Sequence, residues 1–282
     1  MVKLADLRKY AINLLLQNDI KEARADVDFL LFALAKADKG DLILGTKEID
    51  FQTENLIKEA LGRRLKGEPV QYITGECEFY GYNFKVNKST LIPRADTEIL
   101  VEKAAEIIEK NNLKTFLDIG CGSGCVGISL LKIFKDLKGH FVDISKDALE
   151  IAKENANALG VLNRGTFEER DILNSQKSDL KFYDIIVSNP PYIETENLKI
   201  LEDKVKDFEP VSALDGGEDG LDFYRSITDL AAEKSSYLAF EIGYNQGKTV
   251  FDIMDKHFCD IELFKDYGGQ NRVLTGKINK YS

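Results

Sequence analysis

The chain has 282 residues, 44% of them hydrophobic, and a formal net charge of −10. That length exceeds one average domain and can bury a large core without disulfides or metals. The acidic balance argues against a protein that grips nucleic acid over a wide face, because phosphate binding needs clustered Lys and Arg.

Leu4, Leu7, Ala11, Leu14 and Leu15 recur at helical spacing and predict a first helix. A second is expected over residues 21–37, stopped near Gly40. A third is expected after Thr53 as N-cap, carrying Leu56, Ile57, Ala60, Leu61 and Leu65 before Gly67. These stripes predict a small helical domain over residues 1–75, with no chemical motif on it. From Glu76 the period changes to two. Tyr82, Phe84 and Val86 alternate with Asn83 and Lys85 after a turn at Gly81, so residues 76–92 are expected to be a β-hairpin connector, closed by Leu91-Ile92-Pro93.

Residues 93–282 form the third segment. Strands are expected at 115–120, 141–144, 166–170, 183–188, 237–242, 261–265 and 272–276. Helices are expected at 124–134, 145–159 with Ser145 as cap, 222–234 and 246–257. Alternation of this kind predicts an α/β fold, a mostly parallel sheet covered by helices on both faces. The stretch 194–221 is long for a connection and carries Gly216, Gly217 and Gly220, which marks it as a candidate cover for a site.

Cys77, Cys121, Cys125 and Cys259 show no zinc-ligand spacing, and His140 and His257 are not placed to help. Reduced thiols and no metal are expected. The apolar stretch 12–16 is short and interrupted by Asn13. No run approaches the roughly 20 apolar residues of a membrane span, so a cytoplasmic protein without a membrane partner is expected.

Two motifs carry chemistry. Phe116-Leu117-Asp118-Ile119 runs into Gly120-Cys121-Gly122-Ser123-Gly124 and then a helix. Glycines let a backbone approach a ligand closely, and in open α/β sheets ligands sit at the C-terminal strand ends. Asp143 ends the next strand, where an acid can accept hydrogen bonds from ribose hydroxyls. Two cofactors compete for this loop. Residues 122–127 fit the dinucleotide pattern G-x-G-x-x-G, whereas Gly120-x-Gly122-x-Gly124 after Asp118 is the tighter loop typical of S-adenosylmethionine enzymes.

The second motif is Asn189-Pro190-Pro191-Tyr192 at the end of an apolar strand. Two prolines stiffen the backbone and remove donors, leaving carbonyls as acceptors. The Asn189 side-chain oxygen and the Pro190 carbonyl can hold both hydrogens of a planar NH2 group, and the Tyr192 ring can support its plane. Its nitrogen is then aimed at an incoming methyl group, and positioning of this kind can supply roughly 7–11 kcal/mol.

The chain resembles the release-factor glutamine methyltransferases (PrmC/HemK). The resemblance rests on Gly67-Glu68-Pro69, Leu91-Ile92-Pro93-Arg94 with Thr97-Glu98, the glycine loop, Asp143-Ile144-Ser145 and Asn189-Pro190-Pro191-Tyr192-Ile193. Glu209-Pro210, the segment from Ala213 to Leu221, Glu241-Ile242-Gly243 and Gln246-Gly247 extend it over nearly the whole chain. It implies a class I S-adenosylmethionine methyltransferase domain, Rossmann-like with a seven-stranded mostly parallel sheet whose last two strands form a hairpin with the final one antiparallel. It also implies a helical N-terminal domain that helps recognise the release factor, and a substrate that is the glutamine of a Gly-Gly-Gln loop in class I peptide release factors. By the family's pattern, Asp118, Gly120, Cys121, Gly122, Ser123, Gly124, Asp143, Asp171, Ile172 and Asn189 hold the cofactor. Asn189, Pro190, Pro191 and Tyr192 hold the glutamine, with Asn189, Pro190 and Tyr192 catalytic. No direct nucleic-acid partner is expected. Arg94-Ala95-Asp96-Thr97-Glu98 departs from the family's usual segment, and Gly268-Gly269-Gln270 reads as a turn between the last two strands. The competing functions are an adenine N6-methyltransferase using the same four residues on a flipped base, a nicotinamide dehydrogenase, and a binding module without turnover.

Overall fold

The computed structural model describes residues 1–175, 178, 180–200 and 208–279. Residues 201–207 of the long 194–221 connection, and the last three residues of the chain, lie outside the described residues. The chain divides into two compact units, one formed by Met1–Glu76 and the other beginning at Cys77.

In the first unit the strands β1 (Val2–Lys3) and β2 (Glu48–Ile49) pair antiparallel. Around them lie α1 (Leu4–Leu16), α2 (Ala23–Leu34), α3 (Lys39–Leu44), α4 (Phe51–Leu65) and α5 (Val70–Thr74). Leu4, Leu7, Ala11 and Leu15 of α1 meet Val27, Leu30 and Leu31 of α2 and Ile57 and Leu61 of α4 in one buried cluster. The Arg64 guanidinium, itself buried, reaches Asp26 at 2.7 Å and ties α4 to α2. Two boundaries differ from expectation. The second helix ends at Leu34, and Gly40 lies inside α3, because Asp38 and Asp41 form a capping box that starts a new helix there. The cap of α4 is Asp50, not Thr53: its carboxylate accepts the Thr53 N–H at 2.7 Å, and an anion suits the positive end of a helix.

The second unit opens with a two-stranded ribbon, β3 (Glu76–Phe79) and β4 (Tyr82–Lys85). Tyr80 and Gly81 between them have φ of 52° and 74°, the two left-handed residues that a tight hairpin turn requires. Phe79 and Phe84 are fully buried in this unit's core. Then comes α6 (Glu98–Asn111), where the strand–helix alternation from residue 115 onward predicts nothing; Ile99, Leu100, Ala104 and Ile108 form its buried stripe.

The sheet follows, with β5 (Thr115–Ile119), β6 (Lys138–Asp143), β7 (Gly165–Glu169), β8 (Tyr183–Ser188), β9 (Ser235–Glu241), β10 (Phe258–Lys265) and β11 (Asn271–Ile278). Its order is β10-β11-β9-β8-β5-β6-β7. β11 runs antiparallel to both neighbours, and the other pairings from β9 to β7 are parallel. Alternate residues divide between two apolar layers. Phe116, Phe141, Ile185 and Val187 meet α6, α7 (Cys125–Ile133) and α8 (Lys146–Ala158) on one face. Leu117, Val142, Ile186 and Leu238 meet α9 (Asp222–Lys234) and α10 (Gly247–Met254) on the other. The seven-stranded fold and its antiparallel final strand are as the sequence implies. The strand order reverses between β5 and β8, which opens a crevice at their C-terminal ends. Among the described residues, no helix is long and apolar enough to cross a membrane.

Candidate active site

A cavity of about 370 Å³ lies at those strand ends. Its first wall is the glycine loop between β5 and α7. Gly120, Gly122 and Gly124 all have positive φ, 68°, 55° and 78°. A Cβ at Gly120 or Gly122 would meet nothing within 4 Å, whereas one at Gly124 would lie 2.7 Å from Ile128 Cδ1. The first two glycines therefore leave bare backbone facing open space, and the third makes room for Ile128 of α7 and Ala152 of α8. Val142 O accepts the N–H groups of Gly120 and Cys121 at 2.8 and 3.1 Å, so β6 fixes the loop.

Asp143 faces the loop from the end of β6. Its carboxylate accepts the N–H of Gly122 at 2.8 Å and that of Ser145 at 2.9 Å. Burial pushes its pKa up, and those backbone N–H groups pull the other way. Asp118 is more deeply buried. Its carboxylate accepts the Gly127 N–H in the first turn of α7 at 3.0 Å, and burial pushes its pKa up to about 7. Burial also raises the Cys121 and Cys125 thiols, so neither offers a thiolate nucleophile. Among the described residues, no group of three His, Cys, Asp or Glu is placed to hold a metal.

The opposite wall is Asn189-Pro190-Pro191, just past β8. Asn189 Nδ2 donates to Thr97 Oγ1 at 3.3 Å, so the nitrogen end of this amide is already engaged and its oxygen is the end left for a ligand. The segment after Pro210 is built onto this turn. Ile193 N donates to Leu214 O at 3.0 Å and Gly216 N to Ile193 O at 2.8 Å. A Cβ on Gly216 would lie 2.8 Å from Tyr192 Cα, and one on Gly220 would lie 2.5 Å from Tyr192 O. Gly216 and Gly220 are thus required by backbone-to-backbone contact. Gln246 Nε2 donates to Tyr192 O at 3.0 Å. Arg94 also lines the cavity, and its guanidinium reaches the buried Glu209 carboxylate at 2.6 Å.

The cavity brings together Asp118, Gly120, Cys121, Gly122, Ser123, Asp143, Asp171, Ile172, Asn189, Pro190 and Pro191 from the sequence-based set. Gly124 and Tyr192 are not in its wall. Tyr192 is packed against the apolar layer under α9 and α10, and burial pushes its phenol up to about 12. Sequence reasoning assigned no role to Thr97, Glu209, Glu241 or Gln246, although all four stand in the stretches that carry the family resemblance. Asn155 carries no such signal. This buried residue of α8 donates to Ser123 O at 2.9 Å and to Lys85 O at 3.0 Å, clamping the glycine loop to β4.

Comparison with known proteins places these features in a lineage. Residues 6–75 match the PrmC N-terminal domain, and residues 95–207 match the Methyltransferase small domain. A protein of Fusobacterium nucleatum named Release factor glutamine methyltransferase is 39% identical over 96% of this chain and 78% of its own length. A Clostridium acetobutylicum protein of the same name is also 39% identical, over 97% of this chain and 98% of its own. Among solved structures, the hMettl16 catalytic domain in complex with MAT2A 3'UTR hairpin 1 superposes with a TM-score of 0.57 over 82% of each chain. At 12% identity it shares the fold alone.

Proposed function

The chain belongs to the release factor glutamine methyltransferase family, and on that premise we propose that it transfers a methyl group from S-adenosylmethionine to the side-chain nitrogen of the glutamine in the Gly-Gly-Gln motif of class I peptide chain release factors, leaving S-adenosylhomocysteine. One observation carries the reading at the level of chemistry. Asn189 has its nitrogen held by Thr97, so that its oxygen is the end left to accept an NH2 group at a cavity wall that Pro190 also lines.

The residues present fit the donor. Gly120 and Gly122 leave open the space that side chains would fill. Asp143 has lone pairs beyond the two engaged by Gly122 and Ser145, and these suit ribose hydroxyls. Asp171 and Ile172 complete the donor side. When bound, S-adenosylmethionine supplies an electrophilic methyl group on a positively charged sulfur. Asn189 Oδ1 and the Pro190 carbonyl accept the two amide hydrogens and orient the glutamine nitrogen, while Tyr192, outside the cavity wall, packs behind this turn. The nitrogen gains the methyl and releases one proton. Burial keeps Tyr192 protonated, and the reading asks no base of it. Residues 1–75 serve to recognise the release factor, since they carry a packed helical core and none of the cavity's residues.

The test is single-turnover methylation of a purified release factor beside a duplex DNA containing adenine, with mass spectrometry locating the methyl. Methyl on the Gly-Gly-Gln glutamine is the expected result. Methyl on adenine and none on the protein would replace this reading with the adenine one.

A further inference from the structure

Asn189 and Glu241 leave the sheet side by side. β8 and β9 run parallel with Ser188 opposite Phe240, so Asn189 and Glu241 are the next residue of each strand. Thr97, in the turn before α6, joins them. Its hydroxyl accepts from Asn189 Nδ2 at 3.3 Å and lies near enough to the Glu241 carboxylate to pull its pKa down. Glu241 is 2% exposed, and its Oε2 has no hydrogen-bond partner. Asn189 and Thr97 line the cavity; Glu241 stands behind them.

We propose that Glu241 is a positioning residue that acts through Thr97: it holds the Asn189 amide with its oxygen toward the methyl-accepting nitrogen and raises the electron density on that oxygen. The proposal rests on the glutamine reading above. A buried carboxylate with a free oxygen is costly to keep and is ordinarily neutralised by a cation. The neighbouring cations form their ion pairs with other carboxylates and act on Glu241 only at a distance. Arg272 Nη2 sits 3.1 Å from Asp266 and 3.3 Å from Asp96, and Arg94 is paired with Glu209. The negative charge is therefore directed along the Thr97 hydroxyl into the N–H of Asn189. Hydrogen bonds in such a chain polarise one another, and an amide whose N–H faces an anion accepts more strongly at its oxygen. The glutamine nitrogen becomes positive as it takes the methyl, so a stronger acceptor on its hydrogens favours the transition state over the ground state.

The relay also has a pH signature. Burial pushes Glu241 up to about 7, against the pull of Thr97, Arg272 and Arg94, while Asp96 adds to the upward push. The other ionisable groups facing it are Tyr192, Tyr224 and Cys125, all pushed upward by burial and away from neutrality. A protonated Glu241 still occupies Thr97 but carries no charge to pass on.

Single-turnover methylation of a release factor, followed over pH about 5.5 to 8.5, tests this. The wild-type rate should rise through an inflection near 7. Glu241→Gln should be slower above it by about 10- to 100-fold, the range for a hydrogen bond to a charged group. It should lose the inflection while calorimetry shows unchanged donor affinity. Thr97→Val should lose the inflection too, and Thr97→Ser should keep it. An inflection that survives in Glu241→Gln, or a wild-type rate there, overturns the proposal. A slower Glu241→Gln with the inflection intact shows a merely structural carboxylate and overturns it equally. If Glu241→Gln does not fold, the Thr97 pair decides. A wild-type protein that methylates no glutamine removes the functional reading itself and this proposal with it, an outcome separate from failure of the variants alone.

Discussion

The two sides of the cavity are assembled in opposite ways. The proposed donor side comes mainly from one run, β5, the glycine loop, α7 and β6, joined by Asp171 and Ile172 after β7, and it presents mainly backbone: two glycines with open space where side chains would be, and Asp143 held by its own neighbours. The acceptor side presents a side chain, and the groups that orient it come from far along the chain. Thr97, which holds the Asn189 amide, precedes α6; Glu241, proposed to act through it, ends β9; and Gln246, which holds the Tyr192 carbonyl of the same turn, precedes α10. Where backbone makes the contact, neighbours in sequence suffice. Where an amide must point one way round, distant residues have to fix it.

That contrast breaks first at Asn189. Asn189→Ala removes an acceptor that is proposed to strengthen in the transition state, so turnover should fall by roughly 10²–10³, or about 2.7–4 kcal/mol. Donor binding, measured by calorimetry, should change far less. Equal losses in both would merge the two sides into one. Asp143→Ala should do the reverse, weakening donor affinity tens-fold for the loss of charged hydrogen bonds worth about 1.5–3 kcal/mol. An unchanged calorimetric affinity would remove Asp143 from the donor side.

The glycines sharpen the contrast within one loop. Gly124→Ala should lower the unfolding temperature, because left-handed backbone costs a non-glycine residue about 1–2 kcal/mol and its Cβ would press on Ile128 at 2.7 Å. Gly122→Ala meets open space, so it should lose less stability than Gly124→Ala and more donor affinity. Identical profiles for the two would deny the loop its division of labour.

The smallest effect concerns Asp118. Burial raises its folded pKa to about 7; an unfolded aspartate titrates near roughly 3.9. Between those values the folded state keeps a proton that the unfolded chain has lost, so stability falls as pH rises through that window and levels off above it. Asp118→Asn can still accept the Gly127 N–H, and it should flatten this part of the stability profile in denaturant titrations at stepped pH. A slope identical to wild type would mean that Asp118 is ionised throughout.

The same contrast explains what was legible in the sequence. The glycine loop, Asp143 and Asn189-Pro190-Pro191 are contiguous signals whose spacing carries their geometry, and the strand–helix alternation carries the sheet. Thr97 and Glu241 stand in stretches that carry the family resemblance, but no motif gives them a role until the fold sets them beside Asn189; Asn155 has no local signal and is placed by the fold on the glycine loop and β4. Short-range chemistry misled where two caps competed, since Asp50 and Thr53 can both start a helix and the carboxylate is the better acceptor for the free N–H groups. The aromatic ring of Tyr192 suggests a platform at the cavity, yet its burial beneath α9 and α10 depends on packing that no motif encodes.

One feature of the sheet bears on how the protein is made. β11 lies between β9 and β10 but follows both in the chain. A nascent polypeptide therefore carries β9, with Glu241 at its tip, as an unpaired edge until residues 271–278 have left the ribosome. Open edges of apolar strands recruit other chains. Damage to β11 should accordingly register as lost soluble yield in the cell before it registers as a slower enzyme.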